Sequence, residues 1–394
     1  MWLNLTLFLL LMFLLLFLLV FALTYLGRGT EIERIRYIGE EQRDFSVGSD
    51  DFRENFKLLV DTVLWEHNEV ELCLNGDGTY ERLFEDLRRA EKLITWHVYF
   101  FKPGELADRL AEVLIERAQA GVRVLFLFDF FGSLGVSKEY RRRLEDAGVE
   151  TATFRPLKWN TFFKLQQRMH ARSVVIDGKI GWTGGFAIAD QWLGGGRADG
   201  EWRDTNVRIR GPAVDQLQAS FVANWAEASG ELLMGDDIFR LDSETRYGEM
   251  VAGVMYATPS FGSTVSERFF MASITGARET LYITNPYFVP AWSMSHALGE
   301  AVDRGVDVRV LTPGRNSDSK LAFWASRSQY RRLLERGVRI YEYDPAMVHA
   351  KTLVVDRIWS SVGTVNFDNR SIMLNDEVAV VVENRTLGEE LHEI

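Results

Sequence analysis

A histidine followed two residues later by a basic residue occurs twice in this chain, and both copies keep one internal spacing. His349-Ala-Lys351 runs through Thr352–Val355 to Asp356, then through Ile358–Val362 to Gly363, Thr364 and Asn366. His170-Ala-Arg172 runs to Asp177 and on to Gly184, and 179 residues separate His170 from His349, Asp177 from Asp356 and Gly184 from Gly363. Residues two apart on a strand share a face. The apolar run, turn and second strand-like run therefore predict a hairpin that returns Asn366 beside His349 and Lys351. An imidazole, an ammonium and a carboxamide at one point suit a phosphate. The cation and amide bind its oxygens, while imidazole attacks phosphorus or carries a proton.

With 394 residues the chain has room for two domains. Its formal net charge of −11, from 45 basic and 56 acidic residues, disfavours nucleic-acid binding, which needs a basic surface, but allows a local basic pocket. Six histidines without an H-x-x-E-H or H-E-x-x-H spacing argue against a metal-dependent hydrolase. The single cysteine, Cys73, excludes an intramolecular disulfide and a cysteine-based metal cluster.

Residues 1–26 carry no charge and include an unbroken apolar run from Leu7 to Leu23. At about 1.5 Å per residue such a helix exceeds the roughly 30 Å of a bilayer core. No basic n-region or small-residue cleavage site is visible, so an uncleaved anchor is expected rather than a signal peptide. Arg28, Arg34 and Arg36 follow the span and nothing basic precedes it, which places the rest of the chain in the cytoplasm despite Glu31, Glu33, Glu40 and Glu41. Residues 27–55 read as a juxtamembrane connector. From Val70 onward strands and helices alternate: VELCL as a strand, Asn75-Gly76-Asp77-Gly78 as a turn, a helix from about Tyr80 to Lys92, and LITWHVYFF as a buried strand with His97 in the core. A helix over Glu105–Ala120 and a buried strand VRVLFLFDF follow, with Arg141, Arg142 and Arg143 on a solvated helix face. The second part repeats this order, with helices over Glu267–Arg278 and Met294–Arg304 around TLYIT, then VDVRVLTP. The reading is an α/β fold of two duplicated domains, residues 56–240 and 241–394, with a linker near Asp236–Tyr247.

The motif H-x-K-x-x-x-x-D followed by G-S/T-x-N resembles that of the phospholipase D superfamily. GGFAIADQW (184–192), WRDTNVRIRGPAV (202–214), NPYFVP (285–290) and NFDNRS (366–371) are similar to pieces of its bacterial cardiolipin synthases. The resemblance covers roughly residues 70–385. It implies two mixed-sheet domains about a pseudo-two-fold axis, with one active site between them. It also implies exchange of phosphodiesters through a phosphohistidine, without metal or cofactor, on a phospholipid such as phosphatidylglycerol at a bacterial inner membrane. Catalytic roles then fall to His170, His349, Arg172, Lys351 and Asn366, with Asp204 as the acidic partner within the first motif and Glu377 within the second. Thr364, Gly184, Gly185 and Gly363 are expected around the ligand, and Asp177 and Asp356 are expected to hold loops.

Two positions depart from the motif: Arg172 stands for Lys and Ala187 for Asn. Arginine keeps the charge with a larger, flatter head, and a missing donor at a transition-state oxygen costs about 2.7–4 kcal/mol if nothing replaces it. The reading expected is a membrane-anchored phosphatidyltransferase that makes cardiolipin. A phospholipase D that passes the group to water, or a lipid-binding scaffold with a weakened first motif, are the alternatives.

Overall fold

The computed structural model describes the chain except residues 1, 27–29, 37, 39–43, 159–160, 162–163, 241–244 and 261, and except the side chains of 2–4, 20–21 and 23–26. Arg28, Glu40, Glu41 and the middle of the expected linker lie outside the described residues.

Two helices come first, α1 (Trp2–Leu26) and α2 (Asp50–Leu59). The first half then runs β1 (Trp65–Leu74), α3 (Asn75–Arg88), β2 (Leu93–Val98), α4 (Glu105–Gln119), β3 (Arg123–Asp129), α5 (Lys138–Glu145), β4 (Glu150–Phe154), β5 (Arg168–Met169), β6 (Ser173–Ile176), β7 (Ile180–Gly184), β8 (Trp202–Arg203), β9 (Thr205–Arg210) and α6 (Ala213–Ser229). The second half runs β10 (Met250–Ala257), α7 (Val265–Gly276), β11 (Thr280–Thr284), α8 (Trp292–Asp303), β12 (Asp307–Pro313), α9 (Lys320–Glu335), β13 (Arg339–Tyr343), β14 (Met347–Val348), β15 (Thr352–Val355), β16 (Trp359–Gly363), α10 (Asn369–Leu374), β17 (Asn375–Glu383) and α11 (Arg385–Glu393).

One large mixed sheet carries both halves, in the order β13-β12-β11-β15-β16-β17-β10-β1-β9-β7-β6-β2-β3-β4. Read outward from the central β10–β1 pair, the two wings have the same sequence of partners. Each has three antiparallel neighbours, an antiparallel step to the first of three outer strands, and then parallel pairing. The outer strands β2 and β3 are buried along nearly their whole length, which explains their continuous apolar runs. Helices such as α4 bury one stripe, Leu106, Leu110 and Leu114, against the sheet.

The loops between these elements are tied by carboxylates. Asp177 accepts from the backbone N–H groups of Glu91, Lys92 and Leu93 at 2.8–2.9 Å. Asp356 does the same for Arg278, Glu279 and Thr280 at 2.7–2.8 Å. Both aspartates adopt positive φ (53° and 52°) at the turn of their hairpins. Each aspartate thus ties its hairpin turn to the start of the neighbouring strand.

Two local readings are corrected. Asn75-Gly76-Asp77-Gly78 opens α3 instead of forming a turn. Gly76 is needed for close approach, since a Cβ there would sit 2.2 Å from the Trp192 carbonyl oxygen. Arg141 is not simply solvated: it donates to Thr153 Oγ1 at 2.9 Å and stacks over Phe128. The segment read as a connector over 27–55 also runs into α2. Phe52 and Phe56 of that helix are fully buried against Trp359 of β16, with ring centroids 5.2 and 4.5 Å away. Arg53 grips Glu383 at the end of β17 with two bonds of 2.9 and 2.6 Å. Among the described residues no helix is long and apolar enough to cross a membrane. The described side chains of α1, Leu5 to Leu19 and Ala22, are exposed over the whole run from Leu5 to Leu19.

Because α2 completes the core of the second half, Phe56→Ala is expected to lower stability by about 3–5 kcal/mol. Leu58→Ala, on the exposed face of the same helix, should stay within about 0.5 kcal/mol. Urea denaturation of both variants in detergent checks this.

Candidate active site

Both histidine motifs stand at the seam between the two wings, and short parallel ladders bring them together. β5, the two residues before His170, pairs with Asn375 and Asp376 of β17, the two residues before Glu377. β14, the two residues before His349, pairs with β8, the two residues before Asp204. The backbone N–H of His349 donates to the Arg203 carbonyl at 2.7 Å, and that of Ala171 to the Asp376 carbonyl at 2.7 Å. Parallel register therefore sets each histidine beside the carboxylate of the opposite wing.

The side chains follow that register. His170 Nδ1 lies 2.9 Å from both Glu377 oxygens. His349 Nδ1 lies 3.2 Å from Asp204 Oδ2. This corrects the expected pairing: the acidic partners are exchanged between the motifs. With Nδ1–H assigned to the carboxylate, each imidazole keeps Nε2 as a lone pair.

Each carboxylate has its own donors. Glu377 accepts from the hydroxyls of Ser371 and Thr364 and from Asn375 Nδ2 at 3.3 Å. Asp204 accepts from Trp192 Nε1 at 2.8 Å and from the Thr205 N–H at 2.8 Å. Ser371 and Trp192 were not singled out from the sequence. The signal was present, because they stand at the same 179-residue offset as the motifs. Thr364 was expected as a ligand donor, but its hydroxyl is committed to Glu377. The glycines also serve close packing more than open space. A Cβ on Gly185 would lie 2.4 Å from an Asp204 oxygen, one on Gly363 2.3 Å from the Val378 carbonyl oxygen, and one on Gly184 2.3 Å from Asn206 Oδ1.

Two cations complete the cluster. Lys351 Nζ is 2.9 Å from both ring nitrogens of His349 and donates to the His349 carbonyl at 2.6 Å. Arg172 Nη2 lies 3.1 Å from His170 Nε2, while its Nε and Nη1, both buried, have no protein partner. Asn366 also keeps a buried Oδ1 without a partner, its backbone N–H donating to Ser371 Oγ at 2.9 Å. Beside the departure at Ala187, Tyr80 donates to the Ala187 carbonyl at 2.7 Å. Tyr99 meets His170 edge-on at 4.6 Å, and Trp192 meets His349 edge-on at 5.0 Å.

Burial governs the charges. It pushes the Glu377 carboxyl up to about 7, against the hydroxyl donors of Ser371 and Thr364 and the nearby Arg172. It raises Asp204 as well. It holds both imidazoles far below their usual range, helped for His170 by Arg172 and for His349 by Lys351. Lys351 is itself lowered by burial and then by Arg172. Two cations and two carboxylates thus share one buried cluster, and burial disfavours the charge on each of them. His97, by contrast, is a core histidine: burial drives it down to about 3, and its Nδ1 lies 2.8 Å from Ser173 Oγ. Among the described residues no three His, Cys, Asp or Glu side chains form a metal-ligand group.

Comparison with known proteins identifies the family. Residues 270–394 match the family model for the cardiolipin synthase, PLD-like domain. The cardiolipin synthase of Alkalihalophilus pseudofirmus is 35% identical over 351 residues, which cover 88% of this chain and 69% of that protein. That of Geobacillus kaustophilus is 38% identical over 312 residues, covering 79% and 62%. The chain thus spans roughly two thirds of the length of these relatives. A phosphatidylserine synthase crystal structure from Haemophilus influenzae shares the fold, with a TM-score of 0.66 at 13% identity over 86% of this chain and 89% of that one. By its sequence relatives, and with a fold and a paired histidine site to match, the chain belongs to the cardiolipin synthases of the phospholipase D superfamily, a family of phosphatidyltransferases.

Proposed function

We propose that this chain joins two phosphatidylglycerol molecules into cardiolipin and glycerol at one site shared by its two wings. The observation that carries the reading is the pair of crossed histidine–carboxylate contacts, with Lys351 and Arg172 in the same buried cluster. In the first step Nε2 of one imidazole attacks the lipid phosphorus. The P–N bond forms as the P–O bond to glycerol breaks, and the other histidine, protonated at Nε2 once the phosphodiester anion is bound beside it, gives the departing oxygen that proton. In the second step that histidine takes the proton from a hydroxyl of another phosphatidylglycerol. The resulting oxygen attacks phosphorus, the P–N bond breaks, and the first imidazole is released. Lys351 and the two unpartnered donors of Arg172 neutralise the non-bridging oxygens, and Asn366 holds the ligand beside them. Glu377 and Asp204 fix the tautomers of His170 and His349 and stabilise each imidazolium as it forms.

The matching partner order of the two wings supports an origin by duplication, with wings at residues 56–240 and 241–394 and with α2, at the end of the 27–55 connector, completing the second. The sequence of residues 1–26, uncharged and with an unbroken apolar run from Leu7 to Leu23, supports a single membrane anchor there. Arg28, Arg34 and Arg36 on its C-terminal side favour the cytoplasmic face of a bacterial inner membrane.

His170→Ala and His349→Ala are each expected to lower phosphatidylglycerol consumption by about 10²–10⁴-fold or more. Mass spectrometry of the lipid products in detergent reads this, and near wild-type cardiolipin formation by either variant would overturn the two-histidine chemistry. With Lys351 and Arg172 supplying the positive charge, turnover should persist in EDTA. Loss restored by one divalent ion would reject that assignment.

A pH profile tests the crossed pair. Glu377 is raised to about 7, so its carboxylate is present above that pH and is lost as pH falls through it. The rate should therefore decline on the acid side with an apparent value near 7 that belongs to the His170–Glu377 pair. Glu377→Gln should lower kcat/KM and remove that acid limb. An unchanged limb in the variant would show that another group controls it.

A further inference from the structure

We propose that the rim around the site is a bilayer-docking surface, in which exposed apolar side chains of both wings bed into the lipid interface and hold the site mouth against the headgroups. The inference rests on the membrane anchoring proposed above. It begins with Phe131, Leu134, Leu157, Trp292, Leu321 and Trp324, large apolar residues that are 42–83% exposed. Their positions in the fold are not scattered. Phe131 and Leu134 follow β3, Leu157 follows β4, Trp292 opens α8 after β11, and Leu321 and Trp324 lie in the first turns of α9 after β12. All six therefore lie beyond the C-terminal ends of parallel strands.

Those same strand ends hold the site. Tyr99, just after β2, touches His170. Asp129, the last residue of β3, accepts from the Met169 N–H at 3.1 Å, next to His170. Asn285, just after β11, donates to the Val365 carbonyl at 3.2 Å and accepts from the Phe367 N–H at 2.9 Å, on either side of Asn366. Exposed Lys102, Lys158, Arg315 and Lys320 stand in the same set of loops and helix starts, where they would meet anionic headgroups, although the chain as a whole is acidic. Asp318, in the same loop as Arg315, is bound by the Tyr287 hydroxyl at 2.8 and 2.9 Å.

The way the chain leaves α1 identifies the occupant as a bilayer. Glu31 accepts from the Ser293 N–H at 3.2 Å, next to Trp292, and the Ile32 N–H donates to Glu267 at 3.0 Å. The step from Leu26, the end of α1, to Glu31 can reach no further than about 18 Å of extended chain. An apolar helix that enters a membrane there sets the Trp292 side of the rim at the same surface. Tryptophan, leucine and phenylalanine with flanking cations are the residues an interfacial surface uses.

The test uses the full chain in vesicles of phosphatidylglycerol and phosphatidylcholine containing a lipid-phase spin-label quencher. The environment-sensitive fluorophore NBD is placed on W324C, L134C or L334C. Cys73 is buried, with its thiol pushed up to about 12, and stays unlabelled. Leu334 is 52% exposed at the far end of α9 and serves as the control. The expected result is a blue-shifted emission, quenched about two-fold by the lipid probe, at 324 and 134 but not at 334. Vesicle flotation separates the two readings. Protein that floats with all three labels in water overturns the rim and leaves the anchor; protein that does not float, with all three in water, removes both. Equal quenching at 334 means non-specific adsorption and also overturns the rim. A blue shift that grows with protein concentration and ignores the lipid quencher assigns the face to a second copy of the chain and overturns it too. As a second measurement, L321S/W324S should lose about ten-fold of its turnover on vesicle phosphatidylglycerol and stay within about two-fold of wild type on a short-chain, monomeric phosphatidylglycerol. Equal losses on both substrates would mean a folding or site defect and reject the proposal.

Discussion

Two parallel ladders of two residues each, β5 on β17 and β14 on β8, are the constraint on which the site depends. A ladder so short adds little to stability by its own hydrogen bonds. Its effect is geometric. Parallel pairing fixes which residue of one wing stands beside which residue of the other, and the next residue in each case is a histidine or its carboxylate. A one-residue slip would turn those side chains to the opposite face. The crossing of the wings is thus written into backbone register, and the central β1–β10 pair holds the two wings close enough for it.

Crossing has an electrostatic consequence. Each imidazole is buried with a cation from its own motif and a carboxylate from the other wing, so neither wing alone contains a balanced site. The carboxylates are expensive to bury and are raised for that reason, yet each is surrounded by donors that favour its charged form. Glu377 has two hydroxyls and an amide, while Asp204 has an indole and a backbone N–H. Both hydroxyls already accept a backbone N–H, Thr364 from Val378 and Ser371 from Asn366, so their own protons are turned to Glu377. Each carboxylate is thus ringed by fixed donors.

Much of this was legible in the residues. The 179-residue offset exposed the repeated motif, and continuous apolar runs marked β2 and β3 as buried parallel strands. Asp177 and Asp356 at matching strand ends marked the loop clamps. What the spacing could not show was anything decided by packing between wings. The acidic partners were expected within each motif, because sequence distance carries no information about a ladder formed between residues 168 and 375. Phe52 lay in a polar-looking connector and Phe56 just past its end, and only the pocket beside Trp359 makes them core residues. Asn75-Gly76-Asp77-Gly78 has the composition of a turn. Gly76 is there so that α3 can approach the Trp192 backbone, and that contact steadies the segment leading to Asp204.

The departures at Arg172 and Ala187 take on a different meaning once the donors around the site are counted. An amide at position 187 would stand where Asn366 stands in the other wing. Here the wing instead carries a guanidinium with two buried nitrogens, Nε and Nη1, that no protein acceptor uses. Unsatisfied buried donors cost about 1–3 kcal/mol apiece, more when charged. The cost is recovered when an anion supplies the acceptors, and two phosphate oxygens match the fork geometry of guanidinium better than they match an ammonium. The wing that looks degraded by motif therefore brings, on the proposed chemistry, more free donors to the phosphate. On the proposed chemistry, the substitution of lysine by arginine and of asparagine by alanine is one change of donor, made at a single point in the site.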